Sequence, residues 1–190
     1  MDKKAAAILK KSKDKKVGVF IDDANIFHSQ KRVKWQIDWR NFKDVLRGNF
    51  KIMFIKYYRG VYSYKEKIDQ KTRKKHDQFS SFICNLGFEL IKRPLKKIYT
   101  SKKRNKYKYK CDFDAEIGFD IASETKNVDL VILVSGDSDY SFLVNKLKKR
   151  NQDLLVICFK KNAPWEFYRV SNIFFEEIKD EIIFTKKTPR

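Results

Sequence analysis

The chain has 190 residues, 42% of them hydrophobic, and a formal net charge of +20 at pH 7. With 16 Phe and 9 Tyr residues it can bury one sizeable core, which excludes a wholly disordered chain. No run of about 18 apolar residues occurs, and the N-terminal apolar stretch is too short for a signal peptide, so we expect a cytoplasmic protein without a membrane span. Three scattered cysteines, Cys84, Cys111 and Cys158, suit free thiols and form no metal-ligand pair.

The first half of the chain predicts strands and helices in alternation after a basic tail. Short apolar runs with β-branched residues, such as VGVFID, are typical of buried strands. Longer segments with apolar residues on one side predict helices, and Gly48 and Gly87 are suitable end signals. In order, we predict a tail at residues 1–16, strand 17–22, helix 37–48, strand 51–60, helix 65–86 and strand 88–94.

The second half continues the alternation after a basic segment, residues 91–110. We predict helix 113–125, strand 128–136, helix 139–150, strand 153–159, a short helix at 164–170, strand 173–178 and a C-terminal tail at 179–190. Strands without polar alternation, separated by helices, indicate a parallel sheet covered on both faces. The sequence therefore predicts one three-layer α/β/α domain over residues 17–178, with a central, mostly parallel β-sheet.

Charges are arranged unevenly along the chain. Residues 91–110 hold ten Lys or Arg and no acid, whereas residues 112–139 hold eight Asp or Glu and one Lys. A nucleotide-composition bias in the source would explain an excess of lysine but not this placement. We interpret the basic segment as the binding surface for a polyanion, meaning nucleic acid, in preference to an ordinary solvated insertion.

Individual binding residues follow from that interpretation. Tyr99, Tyr107 and Tyr109 alternate with lysines, which suits stacking of unpaired bases beside phosphate contacts. At the end of strand 51–60, Arg59 is a candidate phosphate ligand, with a surface ion pair as its alternative. The candidates for nucleic-acid binding are Arg59, Lys96, Lys97, Lys102, Lys103, Arg104, Lys106, Tyr107 and Lys108.

Acidic residues follow two of the predicted strands. Asp22 and Asp23 end the first strand, and Asp137 and Asp139 follow strand 128–136. Ligands of parallel α/β sheets bind beyond the carboxyl ends of the strands, so these four acids converge if the two strands are neighbours. The helix that starts near Asp114 adds a further carboxylate from its first turn. Asp120 lies about 120° around that helix from Asp114, so it ranks lower.

Converging carboxylates repel one another unless a cation lies between them. Oxygen ligands suit hard ions such as Mg²⁺ or Mn²⁺, and with His28 and His76 as the only histidines zinc is disfavoured. The alternative interpretation is that Asp137 and Asp139 cap the helix that follows them. We favour a metal site formed by Asp22, Asp114, Asp137 and Asp139.

Four motifs together carry a resemblance to a known family. VFIDDANIF followed by IDWRNF, then DFDAEIGFD, then LVSGDSDYSFLVNKLKKRNQDLLVICF resembles the NYN domain, a branch of the PIN-like nuclease superfamily. The resemblance covers residues 17–178. One departure is KCDFD, where the family usually shows Lys-Gly-x-Asp before the middle helix.

The resemblance implies a PIN-like fold and metal-dependent hydrolysis of RNA, with DNA as a possible substrate. It implies metal binding and catalysis by Asp22, Asp114, Asp137 and Asp139 with Mg²⁺ or Mn²⁺. Asn25 would orient the site or contact phosphate, and Asp120 would be an auxiliary acid.

Three other functions are weaker interpretations of the same residues. A response-regulator receiver requires its phosphoacceptor on a strand soon after the first, whereas Asp137 follows Asp22 by 115 positions. A haloacid-dehalogenase phosphatase requires Asp-x-Asp, but Asp22 is followed by Asp23 and Ala24. The serious alternative is a catalytically inactive module that binds nucleic acid or regulates a partner.

Overall fold

The computed structural model describes residues 1–101 and 106–185, which contain seven helices and eight strands. The helices are α1 (Lys3–Lys11), α2 (Asp23–Val33), α3 (Trp39–Asn49), α4 (Gln70–Asn85), α5 (Asp114–Glu124), α6 (Ser141–Lys149) and α7 (Lys179–Ile182). The strands are β1 (Lys16–Asp22), β2 (Lys51–Val61), β3 (Glu89–Pro94), β4 (Lys96–Ser101), β5 (Lys106–Lys110), β6 (Leu130–Val134), β7 (Asp153–Cys158) and β8 (Ser171–Phe174). No helix in these ranges is both long and apolar enough to cross a lipid bilayer.

Six of the strands form one parallel sheet in the order β3-β2-β1-β6-β7-β8. The strands β1 and β6 are neighbours, with Ile21 opposite Val134 at their carboxyl ends. All five residues of β6 are buried, as expected for a central strand with helices on both faces. The sheet therefore brings the residues that follow Asp22 and Val134 to the same edge.

Helices cover both faces of the sheet, which confirms the predicted three-layer α/β/α fold. Alternation along β1 sends Val19 and Ile21 to one apolar cluster and Phe20 to the other. The first cluster contains buried residues of α1, α2, α3, α4 and α7. The second contains buried residues of α5 and α6, and it lies beside the loops that carry most of the acids.

The N-terminal segment differs from the predicted basic tail, because residues 3–11 form helix α1. Its apolar residues Ala5 and Leu9 are four positions apart, so both face the core, and their exposed fractions are 0% and 2%. Asp2 caps the helix, and Lys4 donates a hydrogen bond to Asn172. Likewise, the predicted C-terminal tail begins with helix α7, whose Ile182 is fully buried. Lysine-rich composition concealed α1, and α7 is only four residues long.

Three further elements differ from the predictions. Helix α2 directly follows β1 and begins where the Asp22 carboxylate accepts the backbone N–H of Asn25, a capping signal that charge analysis overlooked. The short helix predicted at 164–170 is a 3₁₀ turn, Trp165–Arg169. The last strand ends at Phe174, and a second 3₁₀ turn, Phe175–Ile178, follows it.

The basic segment forms an antiparallel hairpin of β4 and β5, outside the main sheet. Its base lies against β2 at Gly60, where an added Cβ would come within 2.6 Å of Leu95 and 2.8 Å of Cys111. A side chain at position 60 would clash with both of these residues, so glycine there allows the base of the hairpin to pack directly against the end of β2. The predicted binding residues Lys102, Lys103 and Arg104 lie outside the described residues.

Candidate active site

A cleft of about 880 Å³ opens at the carboxyl ends of β1, β2 and β6. We call it the acid cleft, because its lining includes the four predicted metal ligands, Asp22, Asp114, Asp137 and Asp139. Asn25 and Arg59 line it as well. The structure thus brings together residues that are up to 117 positions apart in the chain, from 22 to 139.

Asp22 lies at the floor of the acid cleft with only 6% of its surface exposed. Its Oδ1 accepts the backbone N–H of Asn25 at 3.2 Å, and its Oδ2 accepts the Ser135 hydroxyl at 3.0 Å. Burial raises the pKa of Asp22 to about 6 against these two hydrogen bonds, and the charges of Asp137 and Asp23 add to the rise. Asp22 is therefore a buried carboxylate beside other acids, where charge repulsion and burial both oppose its ionisation.

The loop after β6 is held by side chains rather than by regular structure. Asn25 Oδ1 accepts the backbone N–H of Gly136 at 2.9 Å, and Ser135 Oγ accepts the backbone N–H of Asp137 at 3.2 Å. These contacts join the start of α2 to the loop and set the position of Asp137. Asn25 therefore holds the loop after β6 in place, and its role in orienting a catalytic site stays a prediction.

Asp114 forms a pair with Asp112, a residue that sequence analysis noted only as a departure from the family pattern. Asp112 Oδ1 accepts the backbone N–H of Asp114 at 3.2 Å. Burial, and then a hydrogen bond shared with Asp112, raise the pKa of Asp114 to about 7. The buried Tyr140 hydroxyl favours the ionised form of Asp114, although it does not reach normal hydrogen-bond geometry with any described residue.

Asp137 and Asp139 occupy different environments. Asp137 Oδ1 accepts the backbone N–H of Asp139 at 3.1 Å and caps the 3₁₀ turn Ser138–Tyr140, so the capping alternative applies to Asp137. Its charge still acts on Asp22. Asp139 is exposed, and its charge helps to raise the pKa of Lys110. Capping and ligand binding are compatible here, since the cap uses one carboxylate oxygen.

Asp120 does not line the acid cleft, in contrast to its predicted role as an auxiliary acid. Its Oδ2 accepts hydrogen bonds from Lys56 Nζ at 3.1 Å and from the Tyr58 hydroxyl at 2.7 Å. Lys56, only 6% exposed, also donates to Glu124 at 2.5 Å. These contacts hold two successive turns of α5 against β2. In this structure Asp120 therefore has a structural role.

Comparison with models of known families identifies the family of this chain. The model of the NYN domain family matches residues 16–178. The chain belongs to the NYN domain family. This is a family of PIN-like nucleases, so the predicted family and fold are confirmed.

Two known proteins are similar to this NYN domain over most of its length. The low amplitude and bright protein LabA of Synechococcus elongatus is 23% identical over 177 residues, which cover 92% of this chain and 90% of LabA. A crystal structure of a protein of unknown function from Vibrio parahaemolyticus has a TM-score of 0.70 and 23% identity. The similarity covers 90% of this chain and 97% of the Vibrio chain. At this identity the crystal structure supports the fold alone.

Arg59 of the NYN domain makes a buried ion pair instead of presenting a free guanidinium. Its Nη1 contacts Asp23 Oδ2, and Asp23 Oδ1 accepts the Tyr57 hydroxyl at 2.6 Å. Nη2 lies 3.5 Å from His76 Nδ1, and the guanidinium packs over the Phe79 ring. A surface ion pair was the predicted alternative for Arg59. The structure instead has an ion pair in the largely buried wall of the acid cleft, with side-chain exposed fractions of 9% for Arg59 and 14% for Asp23.

Several residues that line the cleft of this NYN domain were missed as site residues. Lys31 from α2, Lys110 from the end of β5 and Lys161 after β7 supply positive charge at the rim, while Tyr62 and His76 line the side next to the hairpin. The lysines are scattered among many others, so charge alone did not distinguish them. Only the sheet topology shows that they surround the acids.

The residues of the acid cleft suit a metal ion by the type of their ligand atoms but not by the placement of those atoms. Among residues 1–101 and 106–185, no three His, Cys, Asp or Glu side chains are placed closely enough to hold a metal ion. The carboxylates nevertheless match the oxygen ligands that Mg²⁺ and Mn²⁺ prefer. Burial raises the pKa values of Asp22 and Asp114, and neighbouring acids add to the rise, so a nearby cation would favour the ionised form of both.

Proposed function

We propose that this NYN domain is a metal-dependent ribonuclease that hydrolyses phosphodiester bonds within single-stranded RNA. The observation that carries the proposal is the burial of Asp22 at the floor of a cleft shared with Asp114, Asp137 and Asp139, with lysines at its rim. Acidic residues at the floor and lysines at the rim suit an anionic substrate that must approach a cation.

The residues divide the work of such a reaction between them. Asp22, Asp114 and Asp137 would hold Mg²⁺ or Mn²⁺, with Asp139 at the exposed side. When bound, the ion would supply a hydroxide near neutral pH and neutralise the scissile phosphate and the departing oxygen. Asn25 and Ser135 keep the acids in position through the hydrogen bonds to the loop after β6.

Substrate phosphates would contact the lysines at the rim. Lys110 at the end of β5 and Lys31 in α2 line the same cleft as the acids. Lys96, Lys97, Lys106 and Lys108 of the hairpin extend this positive surface away from the acids. Arg59 would act indirectly, because its ion pair with Asp23 fixes the start of α2 beside Asp22.

The alternative is a module that binds nucleic acid without cleaving it. One observation favours it, namely that the described acids do not form a preassembled cluster of three ligands. The two functions share the basic surface and differ in metal-dependent turnover, so activity measurements separate them.

The test is cleavage of labelled RNA and DNA, side by side, with Mg²⁺, Mn²⁺ or chelator. We expect RNA cleavage with a metal, and circular RNA should also be cleaved because internal bonds are attacked. Asp137→Asn should abolish cleavage while binding RNA at least as tightly as the parent, since it removes a charge that repels the RNA. Asp44→Asn, an exposed change on α3, is the matched control and should retain full activity. Undiminished turnover of Asp137→Asn would refute the assignment.

A further inference from the structure

Aromatic rings form a continuous series from the hairpin to the acid cleft. We call Tyr99, Tyr107, Tyr109 and Tyr62 the tyrosine ladder. Neighbouring ring centroids lie 6.1 Å apart for Tyr99 and Tyr107, 5.6 Å for Tyr107 and Tyr109, and 4.9 Å for Tyr109 and Tyr62. Its inner end contacts His76, 4.6 Å from Tyr62, and both of these residues line the cleft.

Strand alternation separates the ladder from most of the hairpin's lysines. In the antiparallel register Tyr99 is opposite Tyr107, and Lys97 is opposite Tyr109, so these four side chains share one face. The other face carries Lys96, Lys108 and Lys110, with Lys96 opposite Lys110. The hairpin thus has an aromatic face that continues into the cleft through Tyr109 and a mainly cationic face that reaches the rim of the cleft at Lys110.

The inner part of the ladder is fixed, while its outer part is open to solvent. The Tyr109 hydroxyl donates a hydrogen bond to Glu66 Oε2 at 2.8 Å, which ties the hairpin to the segment after β2. Tyr99 and Tyr107 are 48% and 44% exposed, so both rings are accessible to a ligand. Lys97 Nζ lies 3.9 Å from the Tyr107 centroid and brings a positive charge to the same face.

We infer that the tyrosine ladder binds the unpaired bases of a single RNA strand and leads that strand into the acid cleft. Exposed rings beside a cation are the combination by which proteins hold bases and phosphates of single strands. A duplex keeps its bases stacked inside and offers none to the rings. Tyr62 seats the base nearest the acids, so it sets which part of the strand enters the cleft. This inference rests on the proposed function for the identity of the ligand.

The test compares RNA strands that carry the same phosphates but different bases. Fluorescence anisotropy in chelator would measure binding of a labelled oligouridine of about 12 nucleotides, of a matched strand with abasic residues, and of a blunt duplex. The variants are Tyr107→Leu and Tyr62→Leu, with Tyr62→Phe retaining the ring. Tyr64→Leu is the matched control, because Tyr64 is 94% exposed in the loop after β2 and outside the ladder.

We expect the base-bearing strand to bind more tightly than the abasic strand and the duplex. Tyr107→Leu and Tyr62→Leu should each weaken its binding between about fivefold and about a hundredfold, the range for losing one stacked base. Binding of the abasic strand should not change, and Tyr62→Phe and Tyr64→Leu should resemble the parent. Because Tyr107 is exposed, its variant tests the ladder even if Tyr62→Leu does not fold.

Two results separate this inference from the proposed function. Equal affinity for the base-bearing and abasic strands, or equal losses for both in the leucine variants, would overturn the ladder whether or not RNA is cleaved. Conversely, base-dependent binding that Tyr107→Leu removes would support the ladder even in a protein that cleaves no RNA with any metal. In that case the absence of cleavage with any metal would refute the proposed nuclease activity.

Discussion

The Ser135 hydroxyl donates a hydrogen bond to Asp22 Oδ2 across 3.0 Å and so joins the ends of the neighbouring strands β1 and β6. Both residues are almost fully buried, with exposed fractions of 0% and 6%. The hydroxyl supports the ionised form of Asp22, whose pKa burial has already raised to about 6. Through this hydrogen bond the free energy of unfolding therefore depends on whether Asp22 is ionised.

Removing that hydroxyl should destabilise the protein in a pH-dependent way. Ser135→Ala is expected to cost about 1–3 kcal/mol at pH 8, where Asp22 is ionised and loses a hydrogen bond. At pH 5 the Asp22 carboxyl is mostly protonated in the folded protein, so the cost should be smaller. Urea unfolding at both pH values measures this. Ser138→Ala, exposed in the same loop, serves as the control. A cost that does not change with pH would contradict the coupling.

Replacing Asp22 itself should separate stability from activity. Because its folded pKa is raised above the unfolded value of 3.8, Asp22 costs stability as pH rises from about 4 through 6, and the cost is complete at pH 8. Asp22→Asn keeps the shape without the charge. Its Oδ1 can accept the Asn25 N–H, while its Nδ2 would donate to the Ser135 hydroxyl instead of accepting from it. We expect its melting temperature in chelator to exceed that of the parent by a few degrees at pH 8 and to match it at pH 4, while cleavage is lost. A lower melting temperature at pH 8 would contradict this.

A bound divalent ion should stabilise the protein more strongly as pH rises. Asp22 and Asp114, with pKa values raised to about 6 and about 7, must lose their protons to bind a cation. Millimolar Mn²⁺ should therefore raise the melting temperature little at pH 5 and clearly at pH 8, relative to chelator. Asp22→Asn should reduce the shift at pH 8. A melting curve indifferent to Mn²⁺ at pH 8 would argue against a metal site in the folded protein.

Asp120 should prove structural rather than catalytic. Asp120→Asn removes one anionic partner of the buried Lys56, and we expect a loss of about 1–2 kcal/mol, between the values for exposed and buried pairs. Cleavage at a temperature where the variant is folded should be unchanged. Glu89→Gln is the control, because Glu89 is exposed and lies 3.9 Å from Lys56. Lost cleavage with unchanged stability would restore Asp120 as an auxiliary acid.

The part of the fold that sequence could predict is the part governed by burial. Buried parallel strands such as β1 and β6 are continuous apolar runs, so both they and the acids that follow them were identified, and their adjacency brings Asp22 and Asp137 to one edge. Helix α1 was missed because Ala5 and Leu9 provide only two buried positions among lysines. A short apolar stripe gives too weak a period to outweigh composition.

The site was harder to predict because its details depend on contacts between distant residues. The choice between a free Arg59 and an ion pair depends on Asp23, and the separation of Asp120 from the acid cleft depends on Lys56. The Tyr-Lys alternation in residues 106–110 was read as nucleic-acid chemistry, although period-two alternation is also a strand signal. The continuation of its tyrosines to Tyr62 is visible only once the hairpin is folded.

The cationic face of the hairpin should control the salt dependence of RNA binding. Lys96, Lys106 and Lys108 are exposed, and replacing all three with Gln removes three charges without touching the tyrosine ladder. For single strands, each lost phosphate contact lowers the slope of log affinity against log salt by about 0.7, so the triple variant should lose about 2. Cleavage at saturating RNA should change little, because these contacts hold substrate and transition state alike.

The control for that experiment is a second triple variant with the same change in net charge. Lys10, Lys11 and Lys13 are exposed at the end of α1, which packs against β8 at the opposite edge of the sheet from β3 and the hairpin. If RNA lies along the hairpin, replacing these three with Gln should leave the slope almost unchanged, since charges beyond a Debye length of about 8 Å are screened. Equal slopes in the two triple variants would show that RNA responds to total charge, and the hairpin would then lose its assigned role.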